Sequence, residues 1–272
     1  MQTCGNDYIF LENFDGSITC PESLCVTLCD RHSGIGADGI ILMEPSETAD
    51  ARMRMFNSDG SEGSMAGNAL RCMGKYLYDK GIVKKETLSI ETVSGLKTVR
   101  LYTMNGKVSS ACVSMGRASL DAAGLPTTLK EPRLVDYPAH IAGKTWNITC
   151  VDMGNPHCVV FCERVDGMDL PEVGPQFEYA DIFPERINTE FIRVVNASTI
   201  KMRVWERGSG ETLACGTGAC AAVVAAAANG LVEKGRDITV KAAGGDLTVN
   251  YTDEEVTLTG DAKLVFEGTV EY

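Results

Sequence analysis

"MRMFNSDGSEGSMAGN", Met53 to Asn68, and "MRVWERGSGETLACGT", Met202 to Thr217, decide how this chain is read. Each runs from a short strand through a polar, glycine-rich loop to the mouth of a helix. Met53 and Met202 stand 149 residues apart, and in the same register Glu62 meets Glu211 and Gly67 meets Gly216. Upstream, "CGNDYIF" (Cys4–Phe10) falls on "MGNPHCV" (Met153–Val159), so that Gly5-Asn6 meets Gly154-Asn155. Three separated segments in one register indicate an internal duplication, two homologous halves.

Each half follows one plan. A Gly-Asn turn leads into a strand ("YIFLENF"; "HCVVFCE"); a second strand, the polar loop and a helix come later. The helices are expected from Asn68 to about Lys80, stopped by Gly81, and from Gly218 to about Asn229, stopped by Gly230. Strand-rich stretches follow, "TLSIETV", "TVRLYTM" and "KVSSACVSM" in one half and "ITVKAA", "LTVNYT" and "EVTLTG" in the other. The expected fold class is α+β: two domains related by a pseudo-twofold axis, each a sheet wrapped around a central helix. The expected division is 1–116 with 263–272, the final "LVFEGTVEY" returning as a strand, and 117–262.

The bulk properties narrow the function. An apolar fraction of 44% and a charged fraction of 23% are those of a globular protein with a sizeable core. A net charge of -12 argues against a nucleic-acid partner, which would want a basic face. No apolar run is long enough to span a bilayer, and the N-terminus has no signal-peptide pattern, so no membrane is expected. Eleven irregularly spaced cysteines and three histidines make a poor metal site, so none is expected. The expected setting is a reducing cytoplasm, with most cysteines, among them Cys72, Cys158 and Cys220, acting as small buried hydrophobes.

The duplication carries a chemical consequence. Domain interfaces favour ligand sites, and the register puts position 66 and position 215 at the mouths of equivalent helices. Helix N-termini present free N–H groups and partial positive charge, which can hold a carboxylate and lower the pKa of a nearby thiol. Two thiols on opposite faces of one carbon could take a proton from one side and return it on the other, inverting a stereocentre. Only Cys215 is present; the matching position is Ala66.

"CGNDYIF", "RHSGIGADGIILMEPS", "RMFNSDGSEGSMAGNALRC", "MGNPHCVVF", "ERINTEFI" and "WERGSGETLACGTGACAA" together resemble diaminopimelate epimerase nearly end to end. The resemblance implies a cofactor-independent amino-acid racemase, with no pyridoxal phosphate, a small-molecule amino-acid substrate and a homodimeric assembly. It implies two paired cysteine bases: Cys215 in "ACGTG", and a cysteine in "CGN" where this chain reads "AGN" at Ala66. It also implies that Gly67-Asn68 and Gly216-Thr217 hold the reacting carboxylate, and that Asn6 lines the site. Asn57, Asn155, Asn188 and Arg207 match residues that grip the distal end of the substrate. His157 and Glu206 match groups beside the first thiol. For Arg207 the chemistry stands independently, since a guanidinium holds a carboxylate bidentately.

Plainer readings stand beside these. His157 could be a satisfied core histidine, Arg207 with Glu206 a surface ion pair, and "DRHSGIGADG" a structural turn. A phosphate cradle at "GSG" or "GTG" lacks the flanking pattern it needs. A racemase of another amino acid such as histidine is a rival on substrate, against which Asn57, Asn188 and Arg207 argue, and Ala66 itself admits a non-catalytic amino-acid-binding homologue or an epimerase disabled by a substitution that traps bound substrate. The last fits best, because the rest of the set is retained.

Overall fold

Gly5 and Gly154 adopt φ of 85° and 92°, a region in which a Cβ is disfavoured. Each turn delivers an asparagine at the start of an equivalent segment. These observations come from a computed structural model, and the description covers residues 1–63 and 67–271. Position 66 lies outside the described residues. Two compact units emerge, Met1–Ser114 with Thr259–Tyr272, and Met115–Leu258.

In the first unit the order is β1 (Gln2–Thr3), β2 (Asn6–Glu12), α1 (Pro21–Cys29), β3 (Gly39–Glu44), β4 (Ala51–Asn57), β5 (Glu62–Gly63), α2 (Gly67–Asp79), β6 (Thr87–Thr92), β7 (Gly95–Met104) and β8 (Lys107–Ser114). The second contains β9 (Tyr137–Ile141), β10 (Lys144–Asp152), β11 (Pro156–Phe161), α3 (Leu170–Glu178), β12 (Asn188–Asn196), β13 (Thr199–Glu206), β14 (Gly210–Thr212), α4 (Gly216–Ala228), β15 (Asp237–Ala242) and β16 (Gly245–Tyr251), and β17 (Val256–Gly260) leads out of it. The parallel pairing of β2 with β3 sets Tyr8 opposite Gly39, and that of β11 with β12 sets His157 opposite Asn188. Both pairs are 149 residues apart, so the duplication extends to strand register.

Each unit packs one helix on either face of its sheet. α2 lies against β1, β2, β7 and β8, and α4 against β10 to β13, β15 and β16. Every residue of α4 from Gly218 to Ala226 is buried, as befits a small-residue helix enclosed by a sheet. The other faces take α1, where Cys25 and Cys29 pack with Ile40, Leu42 and Phe56, and α3, where Phe177 meets Phe191 edge to face at 5.2 Å. Covered on both sides, β12 buries all of Asn188 to Ile192.

α2 and α4 start at Gly67 and Gly216 and end before Gly81 and Gly230, whose φ values of 73° and 70° turn the chain away. Helices α1 and α3 were not foreseen, though Pro at the first turn of each and the Asp169 cap on Glu172 N–H are ordinary starting signals. The expected final strand "LVFEGTVEY" is absent from the described residues: Gln2 bridges Lys263, and residues 264–271 form no ladder. Its alternating apolar residues suggested pairing, but Leu264, Val265 and Phe266 are exposed. Among the described residues no helix is long and apolar enough to cross a membrane.

Candidate active site

Cys215 caps α4. Its backbone is extended, with φ −121° and ψ 123°, and its Sγ accepts the Gly218 N–H at 3.3 Å, the place a serine or aspartate oxygen often takes. Thr217 Oγ1 lies 3.4 Å from the same sulfur. The first-turn N–H groups of Gly216 and Thr217 have no partner within the helix, so the thiol sits beside backbone donors suited to an anion.

Glu206 stands at the end of β13 and acts on this thiol through its charge. The β13–β14 hairpin places Val204 opposite Thr212, bringing the Thr212 hydroxyl to donate to Glu206 Oε1. Burial pushes the Glu206 carboxyl above its usual range, against the pull of Thr212, Cys215 and His157. Burial also pushes the Cys215 thiol well above 9.0, and the charges of Glu206 and Glu190 add to that, while Thr217 and Gly218 oppose it. A thiol lowered by the helix terminus was expected. Within this unit desolvation and two carboxylates outweigh the helix, and they favour the neutral thiol over the thiolate.

His157 is fully buried, with Nδ1 2.7 Å from Glu190 Oε1 and Nε2 3.0 Å from Asn155 Oδ1. Asn155 Nδ2 donates to Thr217 Oγ1 at 3.3 Å. Asn188 donates to Pro156 O at 2.8 Å and accepts the Arg207 N–H at 2.9 Å. The Arg207 guanidinium is exposed and donates to Glu185 O at 3.3 Å. The second unit thus gathers Cys215, Thr217, Asn155, His157 and Glu206 in one cluster, with Asn188 and Arg207 linked to each other alongside.

In the first unit Asn68 Nδ2 donates to Asn6 Oδ1 at 3.3 Å, and Gly67 opens α2 beside them. Asn6 in turn donates to Asp38 Oδ2 at 2.6 Å, and Asn68 Oδ1 accepts from Arg71 at 2.8 Å. Asn57 is not part of this group; its amide donates to Ser61 Oγ at 3.0 Å.

Four residues of these clusters escaped the sequence reading: Asp38, Arg71, Glu190 and Thr212. Asp38 lies in the stretch read as a structural turn, and it is salt-bridged to Arg31 at 2.9 Å as well as orienting Asn6. Arg71 is fully buried on α2 and donates to Thr3 Oγ1 at 2.8 Å. A charged residue on an otherwise apolar helix face is the signal that could have found it. Glu190 stands in a buried strand between Thr189 and Phe191, where its charge was the only clue.

Comparison with known proteins places these features. The diaminopimelate epimerase family profile matches residues 1–120 and 149–265. A diaminopimelate epimerase of Desulfovibrio desulfuricans is 48% identical over 276 residues, covering 98% of this chain and 96% of that protein. One from Acetivibrio thermocellus is 46% identical and covers 100% and 97%. Among solved structures, a Bacillus anthracis phenazine biosynthesis protein of the PhzF family superposes with a TM-score of 0.67 at 16% identity, covering 96% and 92%. A hydroxyproline epimerase from Agrobacterium vitis, solved with trans-4-hydroxy-L-proline bound, superposes with 0.59 at 15% identity, covering 89% and 79%. At such identities these two speak for the fold alone, which is the expected α+β arrangement. The near-complete match in sequence decides the rest: this chain belongs to the diaminopimelate epimerase family.

Proposed function

We propose that this chain is built to interconvert LL- and meso-diaminopimelate by thiol-mediated proton transfer at the α-carbon, and that Ala66 disables it. The observation that carries this reading is Cys215, a buried thiol that caps α4, accepts the Gly218 N–H and is flanked by the charge of Glu206. In this reading the substrate's reacting carboxylate rests on the N–H groups of Gly67, Asn68, Gly216 and Thr217. Preorganised donors of this kind stabilise the negative charge that develops as the α-proton leaves. Asn6, Asn57, Asn155, Asn188 and Arg207 hold the remaining polar groups. Cys215 delivers a proton to one face, and the residue at 66 removes one from the other. Alanine cannot do so, and the cycle stops. The proposed working form is a cofactor-independent cytoplasmic homodimer.

The test is Ala66→Cys. Loss of a general base costs roughly a hundred- to ten-thousandfold, so the substitution is expected to raise epimerisation by a factor in that range, followed by loss of α-deuterium and by chiral chromatography. The parent protein is expected to bind diaminopimelate in calorimetry and to turn it over very slowly. Turnover of a different amino acid by the substituted protein would reassign the substrate. Binding without any turnover would make this a binding protein.

A further inference from the structure

Glu178 ends α3 and is buried, only 3% exposed. An acid is out of place there twice over: burial penalises a carboxyl group without partners, and a helix C-terminus disfavours negative charge. Its partners explain it. Oε2 accepts the indole N–H of Trp205 at 2.7 Å, Oε1 accepts the backbone N–H of Gly208 at 2.9 Å, and a guanidinium nitrogen of Arg186 stands 3.6 Å from Oε1. We propose that Glu178 is a positioning residue: from α3 it anchors the 206–209 loop, so that Arg207 presents its guanidinium to the substrate from a fixed root.

The sense of each bond is fixed, because an indole nitrogen and a backbone nitrogen can only donate. The two donors flank Arg207, whose own backbone N–H donates to Asn188 Oδ1 at 2.9 Å. Two successive N–H groups, those of Arg207 and Gly208, are therefore held by side chains of different elements, Asn188 from β12 and Glu178 from α3. The turn is closed by the Ser209 N–H, which donates to Glu206 O at 3.1 Å. The Arg207 guanidinium donates to Glu185 O at 3.3 Å, beside the Arg186 that faces Glu178. Glu178 thus ties together the two segments, 185–188 and 205–208, that carry Asn188, Glu206 and Arg207. A guanidinium on a root fixed in advance has less freedom to lose when it grips a carboxylate.

The rest of α3 is shaped to the same end. Gly174, four residues before Glu178 and so on the same face, lies against the indole: a Cβ there would come within 2.2 Å of Trp205 Cδ2. Gly210 of β14 approaches the outer ring, where a Cβ would meet Cη2 at 3.5 Å. The helix therefore offers bare backbone to the ring and a carboxyl group to its N–H, and a buried indole needs that partner. The duplication supplies a control. The residues 149 positions before Gly174, Glu178 and Trp205 are Cys25, Cys29 and Phe56, which pack together in the first unit. A phenyl ring has no N–H to satisfy, and the residue matching Arg207 is Ser58. Where the loop carries no arginine, the helix carries no acid.

The inference deepens the reading of Arg207 given above and rests on it, but one of its measurements needs no ligand, so the two can fail separately. In hydrogen exchange of the parent protein, the backbone amides of Arg207 and Gly208 are expected to be protected. Glu178→Gln keeps the shape and replaces one accepting oxygen by an NH2. Both amides are then expected to exchange about tenfold faster, although the Arg207 N–H is bonded to Asn188 and not to residue 178. In calorimetry, Glu178→Gln is expected to weaken diaminopimelate binding about tenfold, and by less than about twofold when made in Arg207→Ala, where no guanidinium is left to position. A packing role alone would weaken binding equally in both backgrounds. That result, unchanged binding in Glu178→Gln, or unchanged exchange at Arg207 overturns the proposal. So does free exchange of the two amides in the parent protein, which decides alone if Glu178→Gln does not fold. If the parent protein does not bind diaminopimelate, the functional reading fails, and the exchange rates still decide whether Glu178 holds the loop.

Discussion

Helices α2 and α4 hold matching places in their units, yet what lies beneath their first turns differs. Under α4 sit Glu190 and His157; at the same places in the first unit, 149 residues earlier, stand Ile41 and Tyr8. Glu206 likewise answers to Asn57. The scaffold itself is repeated closely. The amide link Asn68–Asn6 matches Thr217–Asn155, both 3.3 Å. The bidentate pair Arg54–Glu62 matches Arg203–Glu211, with Nε to Oε1 distances of 2.7 and 2.8 Å. Duplication therefore supplied backbone donors twice, at two helix mouths, while the ionisable groups around the described thiol were placed once. A group that binds a carboxylate through N–H donors tolerates any side chain, but a buried charge needs a partner designed beside it.

That contrast can be broken most severely by Ile41→Glu. It gives the first unit the buried carboxylate of its twin without the imidazole, since Tyr8 occupies that place. A loss of about 3–5 kcal/mol is expected in urea unfolding; a near-neutral result would mean that the first unit already compensates a charge there.

Alkaline titration sharpens the comparison next. Burial pushes the Cys72 thiol of α2 to about 11, whereas its twin on α4 is Ala221. Between 9.0 and 11 the folded chain keeps a proton that the unfolded chain has lost. This contribution is therefore fully present below pH 9.0 and declines as pH rises through 11. Roughly 2 kcal/mol is lost to this group by pH 11, and Cys72→Ala is expected to flatten the stability profile over that window. An unchanged slope would assign the alkaline loss to other buried thiols, such as Cys29 and Cys162, which titrate in the same direction.

The smallest effects belong to the twin arginines. Arg54→Ala removes a partly exposed ion pair and should cost no more than about 1 kcal/mol. Arg203 also donates to the carbonyls of Val165 and Met168, at 3.1 and 2.6 Å. Arg203→Ala should therefore cost about 1 kcal/mol more, because those carbonyls lose their donor. Equal thermal shifts for the two would show that the extra bonds contribute nothing.

Much of this was legible in the residues. The 149-residue register, both central helices and their glycine stops, and Cys215 at a helix mouth are local features, and local pattern reports them. Local pattern also misled: "LVFEGTVEY" alternates like a strand, but alternation alone does not supply a pairing partner, and residues 264–271 form no ladder. α1 and α3 were missed because their short, mixed sequences carry little periodicity. Position 66, on which the question of activity turns, was read from sequence alone.

The duplication, the family and the presence of Cys215 at a helix mouth are written in the residues. The surroundings of Cys215 come from the folded chain. His157 and Glu190 are 33 residues apart, and Glu190 is adjacent to nothing in the chain that hints at a base; the parallel pairing of β11 with β12 brings them to 2.7 Å. The sign of the Cys215 shift likewise follows from burial beside two carboxylates rather than from its helix cap. A helix terminus acts over its first turn and can be seen in sequence, whereas desolvation and charge depend on everything packed around a group, which only the folded chain contains.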